Sequence, residues 1–153
     1  MLDKLRSFLA PKAAQTAPTD PARLAIAALL VEAAQADERY EARETTIIDA
    51  ALSAEFGLDA AAASALRAEA EQAQADAADL HRFTRVAKNL PPEAKIRLLQ
   101  TMWMIILSDN RRDPHEDALI RRLCGLIYVS DVESGAARRR AAEALRGPSI
   151  EGS

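Results

Sequence analysis

The chain has 153 residues, of which 49% are hydrophobic and 28% charged, with a formal net charge of −3. That length supports one domain with a single core, and so small a net charge excludes bulk attraction to nucleic acid or membranes. Alanine and leucine dominate and no β-branched residue alternates with polar ones, which predicts helices throughout.

Residues 1–20 divide into a short amphipathic piece, with Leu2, Leu5, Phe8 and Leu9 at helical spacing, and a flexible connector around Pro11 and Pro18. The piece either docks on the domain or frays, and membrane-surface contact through residues 1–12 is the rival role. Nothing in it forms a continuous secretory h-region, so the expected location is the cytoplasm.

The folded part is expected to begin at Asp20-Pro21, an N-cap with a first-turn proline, and to run to Gly147; the tail from residue 148 is expected to be loose. A first helix to about Ala36 is apolar on nearly every side and therefore central. Ile47, Ile48, Ala51, Leu52 and Phe56 mark a one-faced helix stopped by Gly57. Asp59 caps an alanine-rich helix whose only large apolar residue is Leu66, so its share of the core should be thin. A fourth helix spans about 78–88, and a second central helix spans 93–108. Next come a helix from Pro114 to about Tyr128 and a last one behind the capping box Ser130-Asp131-Val132-Glu133.

Two acidic stretches repeat within this order. Asp37-Glu38-Arg39-Tyr40-Glu41-Ala42-Arg43-Glu44 and Asp109-Asn110-Arg111-Arg112-Asp113-Pro114-His115-Glu116 stand at a constant offset of 72 residues. Each follows an apolar helix and precedes an amphipathic one. Asp131 also lies 72 residues after Asp59, so the repeat is expected to cover three helices per copy. The expected architecture is all-α, a compact bundle of two pseudo-twofold-related three-helix halves whose central helices pack together.

A carboxylate at a helix C-terminus is disfavoured by ~0.3–1 kcal/mol when exposed. Arg39 and Arg111 could offset this for Asp37 and Asp109, or a bound cation could. Glu44 and Glu116 fit the third position of capping boxes, which explains them without a ligand. Oxygen donors of this kind suit hard cations. An EF-hand is excluded, because Ile48 and Ile120 occupy the place of its last acid.

This pattern, an apolar helix ending in Ala-Asp or Ser-Asp, a Glu seven residues on and a following Ile-Ile or Leu-Ile helix, resembles the TerB-like family of tellurite-resistance and co-chaperone-associated proteins. The resemblance covers roughly Pro21 to Gly147. It implies an α-helical fold with two similar halves and a metal site at Asp37, Glu44, Asp109 and Glu116, with Glu41 and Asp113 as further ligands. The cation would be Ca²⁺, Mg²⁺ or Zn²⁺. The chain departs from the family where glycine often follows the aspartate: Glu38 and Asn110 stand there, and asparagine takes a left-handed backbone more readily than glutamate.

Other constellations are weak. His81 and His115, with Cys124, do not make a zinc set, and Cys124 among Leu123, Leu126 and Ile127 reads as a buried inert thiol. No nucleophile elbow or phosphate loop is present, so no catalysis is expected. Trp103 reads as core. Arg138, Arg139, Arg140 and Arg146 form a basic stripe suited to solvent or to an acidic partner. The function expected is a stress-associated binding module whose acidic turns hold a divalent cation or present carboxylates to a partner. The alternative is an adaptor docking a protein partner or membrane-associated complex, with no nucleic acid involved.

Overall fold

The computed structural model describes residues 20–36, 40–76, 81–108 and 114–147. The amphipathic piece and connector before residue 20, Asp37, Asp109, Asp113 and the tail from 148 lie outside the described residues, as does the expected start of the fourth helix. Seven helices and no strand appear among the described residues: α1 Pro21–Ala34, α2 Ala42–Phe56, α3 Ala60–Asp76, α4 His81–Ala87, α5 Pro92–Leu107, α6 Pro114–Ile127 and α7 Asp131–Arg146.

Helix α1 is central, as its composition requires. Ala25 through Val31, with Ala33 and Ala34, are buried, and the helix touches α2, α3, α4, α5 and α6. An element covered on all sides has no polar face to spare. Its start is fixed locally, where the Ala22 amide donates to Asp20 Oδ1 at 2.8 Å. Helix α5 is the second apolar spine, burying Leu98, Leu99, Met102, Trp103, Ile105 and Ile106 and packing on α1, α2, α6 and α7. The two central helices are therefore in contact, as expected.

The alanine-rich helix does more than its sequence suggests. Ala63, Leu66 and Ala70 of α3 are buried, and α3 packs on both α1 and α2. Small side chains contribute little volume, but they let helix backbones approach, and the neighbours supply the apolar bulk. Helix α7 repeats the device against α5 with Ser134, Ala137 and Ala141. The indole N–H of Trp103 donates to Ser134 Oγ at 3.1 Å, so both buried polar atoms are satisfied.

The caps correct one sequence correspondence. Buried positions of α2 and α6 match at an offset of 72: Glu44 with Glu116, Ile48 with Ile120, Leu52 with Cys124. Helix α6 then ends one residue early, with 14 residues against 15 in α2. From there the offset becomes 71. The left-handed residue is Gly57 in the first case and Tyr128 in the second, each at φ 64°. The Leu58 amide donates to the Ser53 carbonyl at 3.2 Å, and the Val129 amide to the Cys124 carbonyl at 2.9 Å. Asp59 caps α3 by accepting from the Ala62 amide at 2.8 Å. Its counterpart at α7 is Ser130, which accepts from the Glu133 amide at 3.1 Å. Asp131 is thus the first residue of α7, not the equivalent of Asp59, and similarity fades in the third helices because the alignment slips by one.

Tyr128 is an outlier. A left-handed backbone costs an L-residue roughly 1–2 kcal/mol, which is why glycine stands at position 57. Tyr128 gains little from burial in return, because its side chain is 71% exposed.

Candidate functional site

The first turn of α2 and the first turn of α6 carry the described members of the duplicated acidic pattern. Glu44 is the third residue of α2, and its Oε1 accepts from the Glu41 amide at 2.9 Å. This is the reach-back half of a capping box, and it arises from local spacing alone. Glu116 holds the same third position in α6, behind a first-position proline. Both glutamates are nearly sealed from solvent, at 2% and 3% exposure. Capping does not require this: Glu133, the third residue of α7, reaches back to the Ser130 amide at 3.0 Å and remains exposed. Glu41 is the α2 N-cap and is exposed, as is His115. Arg43 stands 3.6 Å from Glu41 and 3.8 Å from Glu44.

Packing of α2 on α5 brings the exit of the first acidic stretch to the entrance of the second. Arg43, Thr46 and Ile47 line an open depression of about 520 Å³ together with Leu107, Ser108 and Leu145. Ser108 directly precedes Asp109 in the chain, and Arg43 directly precedes Glu44. Asp37, Asp109 and Asp113 themselves lie outside the described residues. Among the described residues no three His, Cys, Asp or Glu side chains converge as a metal-binding group.

Sequence reasoning missed a polar clamp behind the first stretch. Arg67 of α3 donates through Nε to Asp49 Oδ1 at 2.6 Å and through Nη2 to Asp49 Oδ2 at 3.3 Å. Its Nη1 donates to Glu71 Oε2 at 2.9 Å and its Nη2 to Ser64 Oγ at 3.2 Å. The Tyr40 hydroxyl also donates to Glu71 Oε2. A bidentate guanidinium at partial burial is a fixed joint rather than a loose surface pair. It ties the residue just before the Glu41 cap to α2 and α3. Burial, and then the hydrogen bond to Glu71, push the Tyr40 phenol well above its ordinary value. The hydrogen bond to Asp49 chiefly raises the Arg67 guanidinium. Only the i, i+4 spacing of Arg67 and Glu71 hinted at this clamp, since Asp49 and Tyr40 are brought in by packing.

The matching arginine of α7, at the offset of 71, is Arg138, which adopts a different role. Arg121 replaces Asp49 on the neighbouring helix, and the Arg138 guanidinium lies 5.3 Å from the Trp103 ring centroid. Cys124 is buried, as expected, and burial raises its thiol pKa, so little nucleophilic thiolate is available at neutral pH. Trp103, at 8% exposure, belongs to the core.

The comparison with known families agrees with this all-helical architecture. The model of tellurite resistance protein TerB matches residues 23–139. The chain belongs to the TerB family. No curated protein and no solved structure gives a significant match. The TerB match takes in both acidic stretches and the clamp and reaches all seven helices, beginning within α1 and stopping within α7. Among the described residues, no helix of this TerB protein is long and apolar enough to cross a membrane.

Proposed function

We propose that this TerB protein is a non-catalytic, stress-associated module that holds a divalent cation between its two acidic stretches. The observation that carries the reading is the burial of Glu44 and Glu116, at 2% and 3% exposure, where the equivalent capping glutamate of α7 stays in water. Glu44 already takes the Glu41 amide and has Arg43 at 3.8 Å, and a divalent cation at the acidic stretches would add a stronger counter-charge for carboxylates withdrawn from water. Asp37 and Asp109 complete the set, with Glu41 and Asp113 as additional donors. Their chemistry fits the group: oxygen-only donors favour Ca²⁺ or Mg²⁺, whereas Zn²⁺ prefers nitrogen and sulfur. The shared depression joining Arg43 to Ser108 supports nearness of the two stretches. Matching buried positions in α2 and α6 and matching caps at the α2–α3 and α6–α7 turns support reading the halves as copies.

The test is thermal denaturation of chelator-treated protein with millimolar Ca²⁺, Mg²⁺ or Zn²⁺. The melting temperature is expected to rise, and Asp37→Asn with Asp109→Asn to abolish the rise. An unchanged melting temperature with all three ions sinks the cation reading.

A second reading has its own support. Residues 20–76 carry twelve Asp and Glu against four Lys and Arg, whereas residues 81–147 carry eight against thirteen. A chain polarised in this way suits an adaptor that docks a charged protein partner or a membrane-associated complex. That role would survive the double asparagine variant but fail when the basic residues are neutralised.

A further inference from the structure

Two residues of the α6 C-terminal turn break local rules, and they line the same depression. Gly125 sits inside α6, where glycine weakens a helix, yet a Cβ there would meet no atom within 4 Å. No close backbone approach demands it. Tyr128 occupies a left-handed position that the first half fills with Gly57, and it does so while largely exposed. Local inconsistencies that packing does not explain are expected where a ligand is handled.

Facing these residues are His81, Thr84 and Arg85 of α4 and Lys88 in the turn just after it, which close a depression of about 140 Å³ with Gly125, Leu126 and Tyr128. His81, Arg85 and Lys88 follow one another at helical spacing and so present nitrogen donors along one side. Among the described residues no carboxylate lines the depression. Thr84 forms its floor, being 1% exposed. The rim is aromatic: Tyr128 lines the depression and is largely exposed, with Lys95 Nζ 5.8 Å from its ring centroid.

The geometry points to a binding site for a phosphate monoester carrying a planar ring, of the nucleoside monophosphate class. The phosphate sits over Gly125, where the missing side chain leaves room, and takes charge-assisted hydrogen bonds from Arg85 and Lys88, beside His81. The ring stacks on Tyr128, whose outward-facing position makes it a platform. A space of this size admits one phosphate group, not the continuous backbone of a nucleic acid. This site is separate from the acidic stretches and does not depend on the cation reading.

The experiment is a titration of the full chain with adenosine monophosphate, followed by amide chemical shifts. Saturable shifts centred on Gly125 and Tyr128 are expected, with inorganic phosphate and adenosine each binding roughly tenfold more weakly or worse. Arg85→Ala with Lys88→Ala should weaken binding by a similar factor. Gly125→Leu projects a side chain into the depression from a Cβ that meets no atom within 4 Å and improves the helix, so it should abolish binding while leaving the melting temperature unchanged or raised. The proposal is overturned if adenosine monophosphate produces no saturable shift. It is equally overturned if Gly125→Leu binds as the native chain does, or if inorganic phosphate binds as tightly as the nucleotide. Sedimentation with phosphatidylserine vesicles in the absence of any nucleotide response would assign the patch to a membrane surface instead.

Discussion

Gly57→Ala isolates the backbone contribution of a helix terminus in this protein. Gly57 has φ 64°, and a Cβ added there meets nothing within 4 Å, so the substitution introduces no steric overlap. Holding alanine in the left-handed region costs about 1–2 kcal/mol. Alanine also restricts the unfolded chain, which returns roughly 0.4–1 kcal/mol. The balance is a destabilisation of about 1 kcal/mol, or roughly 2–4 °C in melting temperature for a domain of this size. The assay is urea and thermal denaturation, with the urea midpoint falling and the m-value unchanged. The reciprocal change is Tyr128→Gly. It relieves the same strain but adds chain flexibility of roughly 0.5–1 kcal/mol and loses the Lys95 contact, worth about 0.5–1 kcal/mol. Removal of this large aromatic should therefore leave stability nearly unchanged. A stabilising Gly57→Ala, or a loss of several kcal/mol from Tyr128→Gly, would refute the reasoning.

The buried Cys124 thiol, with its pKa raised by burial, should react with iodoacetamide at pH 8 only as fast as the protein opens. Denaturant should accelerate labelling by orders of magnitude, and rapid labelling of the native protein would contradict its burial. The linkage has a definite sign: a thiol whose folded pKa is raised contributes stability below the ordinary thiol pKa of about 8.5, lost as pH rises through the folded value. Trp103→Phe removes the donor to Ser134 and leaves a buried hydroxyl short of a partner, a loss of about 1–3 kcal/mol measured by urea denaturation. Arg67→Met breaks the joint to Asp49 and Glu71 and leaves two half-buried carboxylates side by side. It should cost more than Arg97→Ala, whose guanidinium, bidentate to Glu55, is more than half exposed and whose pair is worth under ~1 kcal/mol. Equal effects of the two arginine variants would show that partial burial adds nothing to the Arg67 joint.

Helix existence and helix ends were legible in the sequence because capping acts over three or four residues. Asp20, Gly57, Asp59 and the Ser130–Glu133 box occupy the predicted positions and make the expected bonds. The central placement of α1 and α5 was equally legible, since helices apolar on most sides cannot face water. The duplicated glutamates were visible as a pattern, but their burial was not. A third-position glutamate reads the same in α2, α6 and α7, and only neighbouring helices decide that Glu44 and Glu116 are covered while Glu133 is not. The Arg67 clamp was hidden for a related reason: its partners come from three segments, and charge pairing across helices leaves no periodic trace.

The sequence by itself thus determined which segments are helical, where they start and stop, and which two form the apolar spine. These properties follow from backbone hydrogen bonding and from the separation of apolar and polar faces within single helices. The tertiary structure alone decided which carboxylates lose their water, which arginine finds an acid and which an aromatic ring, and how one residue fewer in α6 displaces everything after it. Such outcomes depend on desolvation and on distances between side chains far apart in the chain, and no local pattern encodes them.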